Sequence, residues 1–385
     1  MAATEARSDP PVKLTGAPGS GVTADFGDAF SLNLKARLQL RYQMDVAAPD
    51  AAGARELTQW VGINTARIYL GGHLFSRRLN YLIQLALAAR DYRDGATSPV
   101  YDAFLDYKAH RDFSIKAGQY FVPFDRLRTV KESALQMADR PRPVSELTLD
   151  RDVGVTAYSD HFLGDDSILA YRVSAFGGGG MNIPTGKTPG ALVVGRLELR
   201  PLGGIDDDSE GDLERRARPV LAIGGAVAGN WNSNRLRSTT GPTFQAGVVD
   251  YFHAAADVVF KWRGFALEGE FLLRQASTNT IVSSDPSIPD DATQSGKGWI
   301  VQASYIFETP VELVGRLSKL YATDGTDPSF VDLVARTGQE LGGGVNYYFN
   351  GHKFKLQADY IARMPAGFVF SQAEQTVHLL LDATL

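Results

Sequence analysis

Two short motifs in this sequence contain the residue types of nucleotide-binding or catalytic sites. Residues 177–188 end in Gly-Lys-Thr, as a phosphate-binding loop does, but Met181 occupies the position of that loop's first glycine and no helix is predicted after it. Ser159, Asp160 and His161 are the three residue types of a hydrolase triad, but consecutive residues in a strand or tight turn cannot converge their side chains. Neither motif predicts a catalytic residue.

Metal-binding patterns are equally weak. The chain has no cysteine, so thiolate metal sites and disulfides are excluded, and its six histidines show no ligand spacing on one face. The acidic run from Asp206 to Asp212 could attract Ca²⁺ but lacks a regular coordinating spacing, which favours a solvated loop. The sequence therefore predicts no metal and no cofactor, and it predicts that the protein is not an enzyme.

A cluster of cations in residues 122–151 is the strongest chemical signal. Its basic residues are Arg126, Arg128, Lys131, Arg140 and Arg142, against Asp125, Glu132 and Asp139. Rings of Arg and Lys in a pore attract anions, and the Arg fork matches phosphate or carboxylate. If the chain forms a pore, this segment is a candidate for its constriction. Loop length alone favours the alternative, an ordinary extracellular loop with solvated charges.

The elements that must position this cluster are strands with a period of two. From Phe30 to Tyr42 apolar residues occupy every even position and polar or charged residues every odd one, so the two sets lie on opposite faces of a strand. Strands of about ten residues can cross a bilayer when tilted. The pattern recurs at 79–89, 101–108, 113–121, 169–175, 193–200, 265–274, 299–307, 311–317, 341–349, 354–363 and 377–385, and more weakly at 67–74, 153–158, 220–229 and 257–262.

These segments predict an all-β, transmembrane antiparallel barrel of about sixteen strands, an even number as in closed bacterial barrels. Residues 1–28 show no sustained periodicity and are interpreted as a flexible leader, with the barrel at 29–385. Links between strands alternate between short and long, as expected for periplasmic turns and extracellular loops. The acidic stretch 203–217 is an exception, because it lies where a short turn is expected. Every proline falls in a loop or at a strand boundary of this map.

Composition excludes several other classes. No run of eighteen apolar residues exists, so the sequence predicts no membrane-spanning helix. The net charge is -5, which disfavours a nucleic-acid binder because no basic excess is available to neutralise phosphates. The first residues lack a basic segment followed by an apolar core, and we interpret the chain as a mature form, without its signal peptide, that carries an added Met.

The charge of the predicted lumen differs from that of the whole chain. If apolar faces contact lipid, the opposite faces line the lumen, with roughly seventeen cations against eleven anions. The candidate pore-lining residues are Lys35, Arg37, Arg41, Arg67, Lys116, Arg172, Arg196, Arg316 and Lys355. A basic lumen predicts a preference for anions.

Five segments, read in order, resemble the phosphate-selective porin O and P family of Gram-negative bacteria. They are 101–107 (YDAFLDY), 115–124 (IKAGQYFVPF), 150–155 (DRDVGV), 265–271 (FALEGEF) and 342–348 (GGGVNYY). No single segment is decisive, but their order and spacing are specific, and the resemblance spans about 30–385. It implies a sixteen-stranded homotrimeric barrel in the outer membrane whose third long loop folds into the lumen and carries cations. Two departures are Phe121, where many members have Lys, and Leu385, where outer-membrane strands commonly end in Phe.

These observations predict an outer-membrane porin for passive diffusion of small hydrophilic solutes. We expect small anions such as phosphate as its solutes, lipid and lipopolysaccharide around it, and no nucleic-acid partner. The alternatives are a barrel that modifies envelope lipids and a docking scaffold for envelope proteins. An enzyme of the first kind needs a Ser–His pair near one rim, and the sequence does not place one.

Overall fold

The structure, a computed structural model, describes residues 12–92, 98–164, 168–182, 190–205 and 209–385. It contains one large antiparallel sheet, two small two-stranded sheets and three short α-helices. The strands are β1 (Lys13–Ala17), β2 (Gly21–Asp25), β3 (Ser31–Val46), β4 (Leu57–Leu74), β5 (Ser76–Ala86), β6 (Val100–His110), β7 (Phe113–Phe121), β8 (Arg151–Phe162), β9 (Leu169–Phe176), β10 (Ala191–Leu199), β11 (Val220–Ser233), β12 (Arg235–Arg237), β13 (Thr240–Thr243), β14 (Val249–Trp262), β15 (Phe265–Ala276), β16 (Thr280–Ile281), β17 (Asp291–Ala292), β18 (Gly296–Ile306), β19 (Val311–Ala322), β20 (Gln339–Asn350), β21 (Phe354–Met364) and β22 (Glu374–Thr384). The helices are α1 (Arg126–Thr129), α2 (Arg142–Leu147) and α3 (Pro328–Thr337).

Sixteen of these strands form a closed barrel, as predicted. Each pairs with its neighbour along the chain, and β22 closes the barrel on β3, with Leu379 opposite Tyr42 and Thr384 opposite Arg37. All sixteen predicted segments are strands. The weakly patterned segments are shorter than the strands that contain them, as 67–74 is within β4. In β4, Asn64 is an extra residue opposite Gln39 and Leu40, and this bulge shifts the alternation within the strand.

The two faces of the barrel have opposite polarity. In β14, Asp257 and Lys261 point inward and are 5% and 0% exposed, whereas Val258 points outward and is 39% exposed. The same alternation recurs around the barrel. An apolar exterior around a polar interior is the arrangement of a barrel that lies in lipid. No helix in the described ranges is long and apolar enough to span a membrane.

The structure differs from the predicted flexible leader at residues 13–25. There β1 and β2 form a hairpin, and β2 pairs with the start of β3, with Val22 opposite Leu34 and Asp25 opposite Ser31. Two five-residue strands are too short to show a period in the sequence, and their structure depends on pairing with β3. Gly21 turns the chain with a φ of +74°, at a position where a Cβ would lie 2.2 Å from the Leu34 carbonyl oxygen. Residues 1–11 lie outside the described part of the chain.

The third long link, between β7 and β8, folds into the barrel as predicted. Phe124, Leu147 and Leu149 in this link are fully buried against inward-facing apolar residues such as Leu272 and Ile300. This apolar core lies inside the barrel, where a water-filled lumen would otherwise expose Leu272 and Ile300. Burial of apolar surface therefore holds the link inside. We call residues 122–150 the constriction loop.

Candidate functional site

The constriction loop leaves one side of the barrel open. A cavity of about 1180 Å³ lies between the loop and the wall formed by β3 to β10. Within the described ranges, no residue of β14, β15, β18 or β19 lines this cavity, because the loop covers them. The open part of the lumen is therefore displaced toward β3–β10.

The lining of the cavity is strongly basic. Of the described lining residues, sixteen are Arg or Lys and seven are Asp or Glu. The cations are Lys35, Arg37, Arg90, Lys108, Lys116, Arg126, Arg128, Lys131, Arg140, Arg142, Arg151, Arg172, Arg196, Arg200, Arg237 and Arg363. The anions are Asp102, Asp106, Glu132, Asp139, Asp150, Asp160 and Glu198. The excess of cations arises in a chain with a net charge of -5.

All five candidate constriction residues line this cavity, but their surroundings differ. Arg126 lies 3.6 Å from a Glu198 carboxylate oxygen, and Lys131 also borders the cavity. Arg128 pairs with Asp150 and lies over the ring of Phe121, 5.1 Å from its centroid. These cations keep part of their surface toward the cavity while the ion pairs hold them in place.

Arg140 is tied to the protein more tightly than the other four. Arg140 donates to the main-chain carbonyls of Leu127 and Val130, so it fixes the fold of the loop itself. Burial and the neighbouring Arg128 lower the pKa of Arg140 to about 10, which leaves it charged at neutral pH. Burial, reinforced by Arg363, also lowers the pKa of Arg142.

The nine candidate pore-lining residues all point inward, but they divide into two groups. Five of them line the cavity, namely Lys35, Arg37, Lys116, Arg172 and Arg196. The other four, Arg41, Arg67, Arg316 and Lys355, do not line it. Strand periodicity gives the direction of a side chain, and it does not reveal which stretch of wall the loop covers.

Those four cations bind protein groups. Arg41 forms a bidentate pair with Asp139 at 2.8 Å, Arg316 donates to the Asp139 carbonyl at 2.8 Å, and Lys355 donates to the Leu135 carbonyl at 2.7 Å. Arg67 pairs with Asp91 in the link after β5. Arg41, Arg316 and Lys355 therefore anchor the constriction loop to the wall by hydrogen bonds, and Arg67 also lies 3.9 Å from Glu132 of the same loop.

Glu132 is a further anchor of the constriction loop. Its carboxylate lies 3.5 Å from Arg37, 3.5 Å from Arg90 and 3.9 Å from Arg67. Burial raises the pKa of Glu132, but these guanidinium groups outweigh it and lower the pKa to about 2. The carboxylate is therefore charged at neutral pH, and it joins the loop to β3 and β4.

Arg151 is a lining residue that the sequence analysis did not select. Its guanidinium lies between the rings of Tyr101 and Phe121, 3.8 Å and 3.6 Å from their centroids, and pairs with Asp102 at 2.7 Å. Arg151 and Asp152 both point inward at the start of β8, which breaks the alternation on which the prediction depended. The ring of Phe121 thus contacts the guanidinium groups of both Arg128 and Arg151.

No group of three or more His, Asp or Glu side chains in the described ranges could hold a metal ion. The lining of the cavity is basic and partly aromatic. The segments 177–188 and 206–212, considered above for nucleotide and Ca²⁺, lie partly outside the described residues.

No protein-family model matches the chain, and no curated protein matches it. Solved structures do match along nearly its whole length. The outer-membrane channel DcaP of Acinetobacter baumannii is 13% identical with a TM-score of 0.54, and the match covers 93% of this chain and 100% of that one. OmpF of Salmonella typhi, in a complex with daunomycin, is 12% identical with a TM-score of 0.56, over 92% of this chain and 98% of that one.

The trimer form of OmpT, an outer-membrane protein of Vibrio cholerae, is 14% identical with a TM-score of 0.53, over 93% of this chain and 100% of that one. At these identities the likeness concerns the fold. The chain has the sixteen-stranded barrel fold of Gram-negative outer-membrane porins and channels, a fold that resides in the outer membrane.

Proposed function

We propose that this protein is an outer-membrane porin that lets small hydrophilic solutes diffuse passively and prefers anions. The observation that carries the proposal is the charge of the cavity: sixteen cationic against seven anionic side chains among its described lining residues. The barrel fold and its structural neighbours support a channel, and the charge supports its preference.

The charges that line the cavity act on ions through their electric field. A narrow, water-filled passage with low-dielectric walls focuses the field of its lining charges, so it concentrates ions of the opposite sign. Cations at successive positions along the passage replace part of an anion's hydration, and because each site binds weakly the anion can leave again. Many of the cations are partly neutralised by carboxylates, which favours weak binding and passage over retention.

The solute class follows from the types of cation. Arginine forks such as those of Arg126 and Arg128 match the oxygens of phosphate, sulfate and carboxylates, so we infer that these oxyanions interact with the wall more strongly than chloride does. Phosphate itself is the solute that the family resemblance favours. The same resemblance, together with the trimer form of the similar Vibrio cholerae OmpT, supports a homotrimer surrounded by outer-membrane lipid and lipopolysaccharide.

The test is a competition experiment with the purified protein in a planar bilayer. In KCl, we expect added phosphate at constant ionic strength to reduce the chloride current, because phosphate occupies sites in the cavity. A matched variant, Arg126→Gln with Arg128→Gln, should weaken this block. A pore whose chloride current is insensitive to phosphate, sulfate and organic acids alike would refute the proposed solute class, and lipid hydrolysis without conductance would refute the porin.

A further inference from the structure

The link between β10 and β11 is a long segment at the end of the barrel that otherwise has short turns. It joins Leu199 to Val220, whereas β14 and β15 at the same end are joined by only Arg263 and Gly264. Hydrogen bonds place these two links side by side: the Arg263 main-chain N–H donates to the Arg216 carbonyl at 3.0 Å, and the Gly264 N–H donates to the Asp212 carboxylate at 2.8 Å. The segment therefore begins on the periplasmic side.

Residues 209–213 of this segment fold into the barrel, and we call them the plug. Glu210 and Asp212 are 4% and 0% exposed although both are acidic. Lys261, which points into the lumen from β14, donates to the Ser209 carbonyl at 2.6 Å. Gly211 packs so closely that a Cβ there would lie 2.4 Å from a carboxylate oxygen of Glu312. These contacts show that the segment packs inside the barrel. The sequence had favoured a solvated loop at 206–212.

The plug meets the constriction loop inside the barrel. One Glu210 carboxylate oxygen accepts from the Gln136 main-chain N–H at 2.7 Å and from the Gln302 side-chain amide at 2.9 Å. The Gln136 side chain continues the contact, donating to Glu312 at 2.6 Å. A segment from the periplasmic side and a loop from the extracellular side are thus joined through Glu210 and Gln136.

We propose that the plug and the constriction loop together close the half of the lumen beside β14–β19, so that the plug sets the size limit of the pore and forces solutes along the basic wall. This proposal rests on the proposed pore function. It agrees with the position of the cavity, whose described lining includes Ile205 just before the plug but no residue of β14, β15, β18 or β19. Glu210 is a positioning residue, because it acts through Gln136.

The experiment compares three variants with the unaltered protein by single-channel conductance and by liposome swelling with neutral sugars of increasing size. The first replaces the plug, 209–213, by two glycines, the second is Glu210→Ala, and the control is Glu214→Ala. The Glu214 side chain is 74% exposed, so the control removes the same charge from the same segment without a lumen contact. Resistance to unfolding in detergent checks that each variant keeps its barrel.

The deletion should raise conductance about twofold and admit larger sugars, because the filled part of the cross-section becomes water. Glu210→Ala should shift both quantities in the same direction by a smaller amount, and Glu214→Ala should leave them unchanged. A folded deletion variant with unaltered conductance and size limit would overturn the proposal, as would equal effects of Glu210→Ala and Glu214→Ala. A cation-selective unaltered pore would refute the proposed anion preference, yet the comparison between variants would still decide the role of the plug.

Discussion

Lys35 and Lys116 line the cavity without a salt bridge to any described residue, and their ammonium groups lie 5.1 Å and 4.7 Å from the ring centroids of Tyr69 and Phe104. Their charge is thus less neutralised than that of the paired arginines. We expect Lys35→Gln with Lys116→Gln to lower the ratio of anion to cation permeability about fivefold, the effect of losing roughly 1 kcal/mol of attraction in water-like surroundings. Reversal potentials in a KCl gradient measure this ratio.

The control is Arg77→Gln, which removes a positive charge outside the cavity, where Arg77 pairs with the exposed Asp28. A comparable loss of selectivity in this variant would contradict a role for the cavity lysines.

The Glu132 carboxylate is a single residue that makes the attachment of the constriction loop to the barrel wall depend on pH. Burial raises its pKa, but Arg37, Arg90 and Arg67 lower it to about 2, below the ordinary value of 4.5. A lowered pKa means that the stabilising contribution is complete above pH 4.5 and is lost as the pH falls through about 2. We expect current fluctuations to increase over that interval. Glu132→Gln should show them at neutral pH without pH dependence, and a steady current down to pH 2 in the unaltered protein would contradict this anchor.

Strand periodicity predicts the direction of a single side chain but not its contacts. The inward direction of Arg41, Arg316 and Lys355 could be predicted, since a period of two separates the faces of each strand. Their separation from the cavity could not be predicted from the sequence. It depends on Asp139 and Leu135, which the constriction loop places against the wall. Arg151 was missed because β8 begins with two consecutive inward residues.

At the scale of elements, apolar packing holds the constriction loop in the barrel. Leu147 is fully buried at the end of α2. We expect Leu147→Ala to weaken loop docking by about 2–5 kcal/mol, the usual cost of removing a buried leucine side chain. Faster trypsin cleavage within the Arg-rich loop of the folded barrel would report this change. Val282→Ala, at a site that is 74% exposed, is the control and should leave the cleavage rate unaltered.

Element boundaries were predictable where the alternation was long and unbroken. Phe113–Phe121 was predicted with both ends, whereas β4 was predicted from Arg67 although it begins at Leu57. The bulge at Asn64 explains that difference. The hairpin at 13–25 and the inward path of the plug depend on tertiary contacts, which a local pattern does not contain.

At the scale of the whole molecule, the net charge of the chain is negative, whereas the lining of the cavity is basic. Acidic residues are abundant in exposed links, whereas cations gather where solutes would pass. Because ions within a narrow lumen are screened less than ions at an open surface, we expect the charge of the cavity, and not the net charge of the chain, to decide selectivity.

The measurement that tests this account most directly is the reversal potential of the purified, unaltered protein in a planar bilayer under a KCl gradient. The account predicts discrete channels and a reversal potential of the sign that corresponds to faster passage of chloride than of potassium. Channels with a reversal potential of the opposite sign, or a folded barrel without conductance, would contradict it.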